Sequence, residues 1–161
     1  MTSGADAAPS RLLSKPTWLI SQISIHAHRL LTYALATDNA RGYHYRLLAA
    51  LDEFGPASQA TLGRRTDMDR SDVVAALNDL SAGGLVKRAA DPVDRRRNVI
   101  TITSAGRARL ERLDDVLAGV REQLLTPLSG RERQVLIDLL ARVLEHQSTR
   151  DHSAPLTGRE R

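Results

Sequence analysis

Cysteine is absent from the 161 residues, which excludes disulfides, thiolate zinc sites and thiol redox sensing. Aromatic side chains are scarce at 3%, so the core must be aliphatic, chiefly Leu, Val, Ile and Ala. That mixture favours helices. No apolar run approaches the roughly 20 residues of a membrane span. Residues Met1 to Ser10 are small and polar and lack the apolar stretch of a secretion signal. These absences predict a cytoplasmic protein without a membrane partner. Histidines stand only at positions 26, 28, 44, 146 and 152. His26 and His28, two apart on a helix, point to different sides and cannot chelate together. No phosphate-cradling glycine loop, nucleophile elbow or pocket-like carboxylate pair occurs. Asp114-Asp115 reads as solvated charge on a helix exterior. Neither an enzyme, a metal site nor a cofactor is expected.

What is present is apolar periodicity and positive charge. Hydrophobic residues make up 42% of the chain, enough for a globular core, and the net charge of +4 suits a polyanionic partner. The length predicts one domain with, at most, an oligomerisation extension. Residues 1–13 and 148–161 carry no periodicity and are expected to be a flexible N-terminal tail and a disordered C-terminal tail. Pro16 suits a first helical turn, and Leu19, Ile23, Ala27, Leu30, Leu31 and Ala34 predict a helix to Thr37. Leu47, Leu48 and Leu51 predict a second over 40–54, ended by Gly55-Pro56. Ser58 is a candidate N-cap for a short helix over 59–65, and Asp69 for one over 70–82 that stops at Gly83-Gly84.

The stretch from Gly84 to Thr103 reads as a hairpin, with strands over 85–89 and 98–103 joined through Asp91-Pro92. Arg95, Arg96 and Arg97 crowd its loop. Three adjacent guanidiniums repel one another and add nothing to a core, so they point to a nucleic-acid backbone. Beyond it, Thr103 can cap a helix whose Leu110, Leu113, Leu117, Val120 and Leu124 form a narrow seam suited to a partner helix. Ser129 and Glu132 form a capping box for the last helix, striped by Val135, Leu136, Leu139, Leu140, Val143 and Leu144. The expected fold is mainly α: a winged helix-turn-helix core with a short β-hairpin wing, flanked by N- and C-terminal dimerisation helices. In residue terms, 14–147 form the domain, with 14–37 and 104–147 for dimerisation and 40–103 for DNA.

On the helix over 70–82, Val73, Ala76, Leu77 and Leu80 face inward, while Arg70, Ser71, Val74, Ala75 and Asn78 face outward. A major groove about 12 Å wide accepts one such helix, whose first residues meet base edges. Arg70 can read guanine, Ser71 a base or phosphate, and Val74 and Ala75 a thymine methyl. Asp72 can accept from a cytosine amine or simply favour the helix N-terminus. Arg64 and Arg65 are placed for phosphates. The other reading is a winged-helix architectural or protein-interaction module that binds DNA without sequence preference.

Leu80-(x3)-Gly84-Leu85-Val86-Lys87-Arg88, Asp91-Pro92-Val93-Asp94-Arg95-Arg96-Arg97 and Ile102-Thr103-(x2)-Gly106 together resemble the signature of the MarR family of transcriptional regulators. The resemblance implies that Arg96 enters the minor groove while Asp94 holds it, with Arg95 and Arg97 on phosphates. It implies a homodimer on a near-palindromic operator of double-stranded DNA, most often as a repressor. It further implies release by a small, often aromatic or phenolic anion. Residues of suitable type for that effector are Trp18, His26, His28, Tyr43, His44 and Arg46, with Tyr45 nearby. Each can equally be a core filler or a solvated side chain. Family recognition helices often carry arginine where Ala75 stands, so base reading here would lean on Arg70 and the wing.

Overall fold

The computed structural model describes residues 8–90 and 98–153, with side chains described as far as residue 149. The chain divides into two compact units, Met1–Leu124 and Leu125–Arg161. Within the first, a short helix α1 (Ser10–Leu13) precedes α2 (Pro16–Thr37), which has Pro16 in its first turn as expected. Residues 10–13 are thus helical, where a flexible tail was expected. The helix ends at Ser14, whose hydroxyl turns back onto the Arg11 carbonyl, and Pro16 opens the next helix two residues on. Asn39 adopts a left-handed conformation (φ 51°) after α2, and the next amide returns to the Leu35 carbonyl. That turn delays α3 (Gly42–Phe54) by two residues relative to the apolar pattern.

A two-residue strand β1 (Ala57–Ser58) then leads into α4 (Gln59–Thr66). Ser58 is the N-cap, its Oγ accepting the Thr61 amide at 3.2 Å. The helix-turn-helix bend is made by Asp67, left-handed at φ 50°, a conformation that aspartate tolerates better than most residues. Helix α5 (Arg70–Ala82) follows with Asp69 in the N-cap position, but the Asp69 carboxylate makes no cap bond. Gly84, at φ 68°, turns the chain out of α5, and the Leu85 amide closes onto the Leu80 carbonyl at 2.9 Å. The wing strands are β2 (Val86–Ala90) and β3 (Asn98–Ile102), antiparallel with Val86 opposite Ile102 and Ala90 opposite Asn98. Strand β3 is central, since β1 pairs with its other edge, Ala57 opposite Ile100.

Helix α6 (Ser104–Leu124) completes the first unit. Leu110 and Leu113 lie buried in the same cluster as Leu47, Leu51, Leu77 and Ile100. The first half of the α6 seam therefore closes the winged core itself, a correction to the expectation that the whole seam awaits another partner. Each such leucine contributes about 1.5–3 kcal/mol by leaving water. In the second unit, α7 (Gly130–Ser153) begins at the Ser129–Glu132 capping box, with Ser129 N–H donating to Glu132 at 2.8 Å. The serine holds the Glu132 carboxyl below its ordinary pKa. The helix runs past residue 148, where a disordered tail was expected, and Ser148 and Thr149 bond the carbonyls of Leu144 and Glu145 one turn back.

Candidate nucleic-acid interface and the adjoining cavity

Helix α5 buries Val73, Ala76, Leu77 and Leu80 and turns Arg70, Ser71, Ala75 and Asn78 outward. The 3.6-residue period alone produces this division. Val74 and Asp72 are half-buried, and Asp72 lines a cleft of about 440 Å³ with Arg46, Arg64 and Asp69. Val74 is thus less outward than its helical position implied, because it lies at the edge of the buried stripe. Arg64 and Arg65 are exposed at the end of α4. Arg64 donates to Thr61 Oγ1 at 3.3 Å, and the Arg65 guanidinium stacks 4.7 Å from the centre of the Phe54 ring. Asp94, Arg95, Arg96 and Arg97 lie outside the described residues.

Two adjacent residues of α5 are tied to other elements. Asn78 Oδ1 accepts from Arg88 Nη2 at 2.7 Å, which links the helix to β2. Asp79 Oδ2 lies 3.3 Å from His44 Nε2 on α3. Sequence reasoning missed Arg88 as a partner of the outward face. Its only signal was a basic residue at the start of the wing, on a strand whose Lys87 and Arg88 are both exposed.

Behind this face lies a cavity of about 840 Å³ between α2, α3, the end of α5 and the start of α6. His28, Tyr43, His44 and Arg46 line it; Trp18 and His26 do not. Residues not singled out from the sequence, Arg41, Asp79 and Arg109, complete its polar wall. Arg109 is committed: its Nη1 bonds Asp38 Oδ2 at 2.8 Å and its Nη2 bonds the Asp38 carbonyl. Arg112 Nη2 reaches the other Asp38 oxygen at 2.8 Å. One carboxylate at the end of α2 thereby holds two guanidiniums of α6.

Tyr45 faces another way and donates its hydroxyl to Asp114 at 2.8 Å, so Asp114 is not merely solvated. Partial burial, then the Asp114 hydrogen bond and charge, raises the Tyr45 pKa. A raised folded value means the folded protein holds this proton more tightly. The stabilisation is therefore complete below pH about 10 and lost as pH rises through the higher folded value. Thermal melts from pH 8 to 11 should show a steeper alkaline decline for the native chain than for Tyr45→Phe; parallel curves would deny the coupling.

A model of the MarR family matches residues 38–97. The uncharacterized HTH-type transcriptional regulator YxaD of Bacillus subtilis is 34% identical over 107 residues, which cover 66% of this chain and 75% of YxaD. The chain belongs to the MarR family. Against three further curated transcriptional regulators, the alignments span 63%, 62% and 59% of their lengths. A "probable transcriptional regulator" from Pseudomonas aeruginosa superposes with a TM-score of 0.72 at 33% identity, over 83% of this chain and 99% of that one. PcaV of Streptomyces coelicolor, solved in complex with its natural ligand, gives a TM-score of 0.70 at 27% identity, over 86% and 98% of the two chains.

The MarR-type signature residues that are described meet at the base of the wing. Thr103 N–H donates to the Leu85 carbonyl at 3.0 Å, and Thr103 Oγ1 lies 2.9 Å from the Gly84 carbonyl. The same hydroxyl oxygen accepts the Gly106 amide at 3.0 Å, which makes Thr103 the N-cap of α6. A Cβ on Gly106 would collide with the Leu85 carbonyl oxygen and sit 2.7 Å from Ile102 Cγ1. The spacing of threonine and glycine in this MarR motif thus follows from one close approach of Leu85, just before β2, to α6.

Proposed function

We propose that this MarR-family chain is a sequence-specific, DNA-binding transcriptional regulator. It acts as a cytoplasmic homodimeric repressor that a small aromatic or phenolic anion releases from a near-palindromic operator. The observation that carries the reading is the outward side of α5, where Arg70 and Ser71 are exposed and Asn78 bonds Arg88 at the basic start of the wing. An N-terminal helical turn of that kind fits a major groove, and the arginines of the wing would take phosphates and the minor groove. Arg70, Ser71, Asp72, Val74 and Ala75 would face bases, Arg64 and Arg65 phosphates. Asp94 would hold Arg96, with Arg95 and Arg97 beside it. The described helices include none long and apolar enough to cross a membrane.

Dimerisation is supported by apolar faces that the chain leaves uncovered. On α2, Ile20 and Ile23 are exposed, and on α7 so are Val135, Leu139, Leu140, Val143 and Leu144. Repeated exposure of this kind marks an interface. Two-fold symmetry would set two copies of α5 about one DNA turn apart, or a multiple of it. The effector reading rests on the cavity, whose volume suits a small ligand and whose wall carries His28, His44, Arg41 and Arg46. PcaV, similar in fold and sequence, holds a ligand of its own.

Selection of bound duplexes from a random pool, followed by competition with unrelated duplex, tests the reading. A specific regulator keeps at least roughly a thousandfold preference for its own site at physiological salt. Equal competition by any duplex would favour the architectural alternative. Arg70→Ala should cost about 1–3 kcal/mol at a single base position, whereas equal losses on all duplexes would reassign Arg70 to phosphate.

A further inference from the structure

His44 is held at both ring nitrogens. Its Nδ1 accepts the Arg41 backbone N–H at 3.2 Å, closing the first turn of α3. A nitrogen that accepts carries no hydrogen, so the neutral ring keeps its proton on Nε2. That proton faces Asp79 Oδ2 at 3.3 Å, across 35 residues of sequence. The His44 side chain is 14% exposed and that of Asp79 56%, so the donor is sheltered while the acceptor stays open to water. Among the described residues, this is the one side-chain polar bond between α5 and α3.

The bond stands in the cavity wall, and the charges around it are uneven. Arg109 is neutralised by Asp38. Arg41 and Arg46 have no ion pair among the described residues, and Asp79 is the one carboxylate lining the cavity. An entering carboxylate would therefore be drawn to Arg41 and Arg46 and would repel Asp79. It would also accept from the same Nε2–H, a single hydrogen that two carboxylates cannot both hold well.

We propose that the His44–Asp79 hydrogen bond is the switch contact of this protein: a planar monocarboxylate in the cavity takes His44 from Asp79 and so removes the polar tie that sets the angle of the recognition helix, whose apolar side stays packed in the core. This rests on the reading above that an anionic effector binds here and weakens operator binding. The exchange moves no covalent bond; one acceptor replaces another on Nε2–H. Asp79 acts as a positioning residue, holding α5 at the angle that fits DNA.

The test uses the full chain, its selected operator and 4-hydroxybenzoate as the probe anion. Removing a negative charge from a DNA-facing helix should, by charge alone, tighten binding. The exchange predicts the opposite for Asp79→Ala: operator affinity without probe falls about tenfold, within the usual span of coupling between sites. Adding 4-hydroxybenzoate should weaken it no further. Calorimetry should show Asp79→Ala binding the probe at least as tightly as the native chain. Asp79→Asn loses the same charge but keeps an acceptor for Nε2–H, so it should restore most of the operator affinity. Native or tighter operator binding by Asp79→Ala, with an unchanged melt, would overturn the proposal. So would an Asp79→Asn variant as weak as Asp79→Ala. Failure of the probe to bind or release the native chain would instead strike the effector reading and the exchange with it. The affinities measured without probe would still decide whether this bond positions α5.

Discussion

Replacing Gly106 with alanine should destabilise the first unit by at least about 3 kcal/mol, the upper range for one methyl forced into a packed site. The added carbon meets the Leu85 backbone oxygen and the Ile102 side chain. Ile102 could rotate, but the Leu85 carbonyl cannot, because it accepts the Thr103 amide. The clash must therefore part the start of α6 from the base of the wing. That movement also breaks the Thr103 cap of α6, since Gly106 N–H is its donor. Urea unfolding at neutral pH would measure the loss. A Gly119→Ala control, where a Cβ meets open space, should be neutral or slightly stabilising through higher helix propensity. Similar midpoints for both variants would mean that the contact of Leu85 with α6 is loose.

Asp38→Ala should cost about 2–3 kcal/mol, because it leaves a partly buried guanidinium without its partner. The Asp38 side chain is 12% exposed and that of Arg109 21%, so water cannot readily replace their bond. Arg112, at 69% exposed, contributes little to the pair, and Arg112→Ala should cost under about 1 kcal/mol. The contrast between these two variants in denaturant is the measurement. Equal small losses would show that the α2–α6 junction rests on apolar packing alone. Since Arg109 also forms part of the cavity wall, Asp38→Ala should raise affinity for anions there as it lowers stability.

Most of the helix order could be read from the chain because each helix announces itself locally. Pro16, Ser58 and the Ser129–Glu132 pair act within one turn, and the buried positions of α5 repeat at a period that sequence displays directly. The two-residue strand β1 could not be read, being too short to show alternation; its existence depends on the free edge of β3. Helix α1 and the last turns of α7 were hidden because neither carries the repeating apolar pattern that marks the other helices. The same limit applies to the site. Exposed positions of α5 followed from periodicity, and four of the six residues weighed for the effector do line the cavity. Its ion-pair framework did not follow, since Asp38 and Arg109 stand 71 residues apart, nor did the Tyr45–Asp114 hydrogen bond outside it, whose partners stand 69 apart. A periodic pattern says which side of a helix is dry. It does not say which charge will be waiting opposite.

The central place of β3 bears on how such a protein could scan DNA. One edge of that strand grips the segment leading into α4 and the other grips the wing, while Arg88 clasps α5 from the side. Among the described residues, the helix and the base of the ribbon are thus fastened to one another through a single strand. If the proposed function holds, an operator half should accordingly tolerate no added or missing base pair between the step read by the helix and the step read by the ribbon. Any elasticity in the length of the full site would have to come from how two copies are yoked.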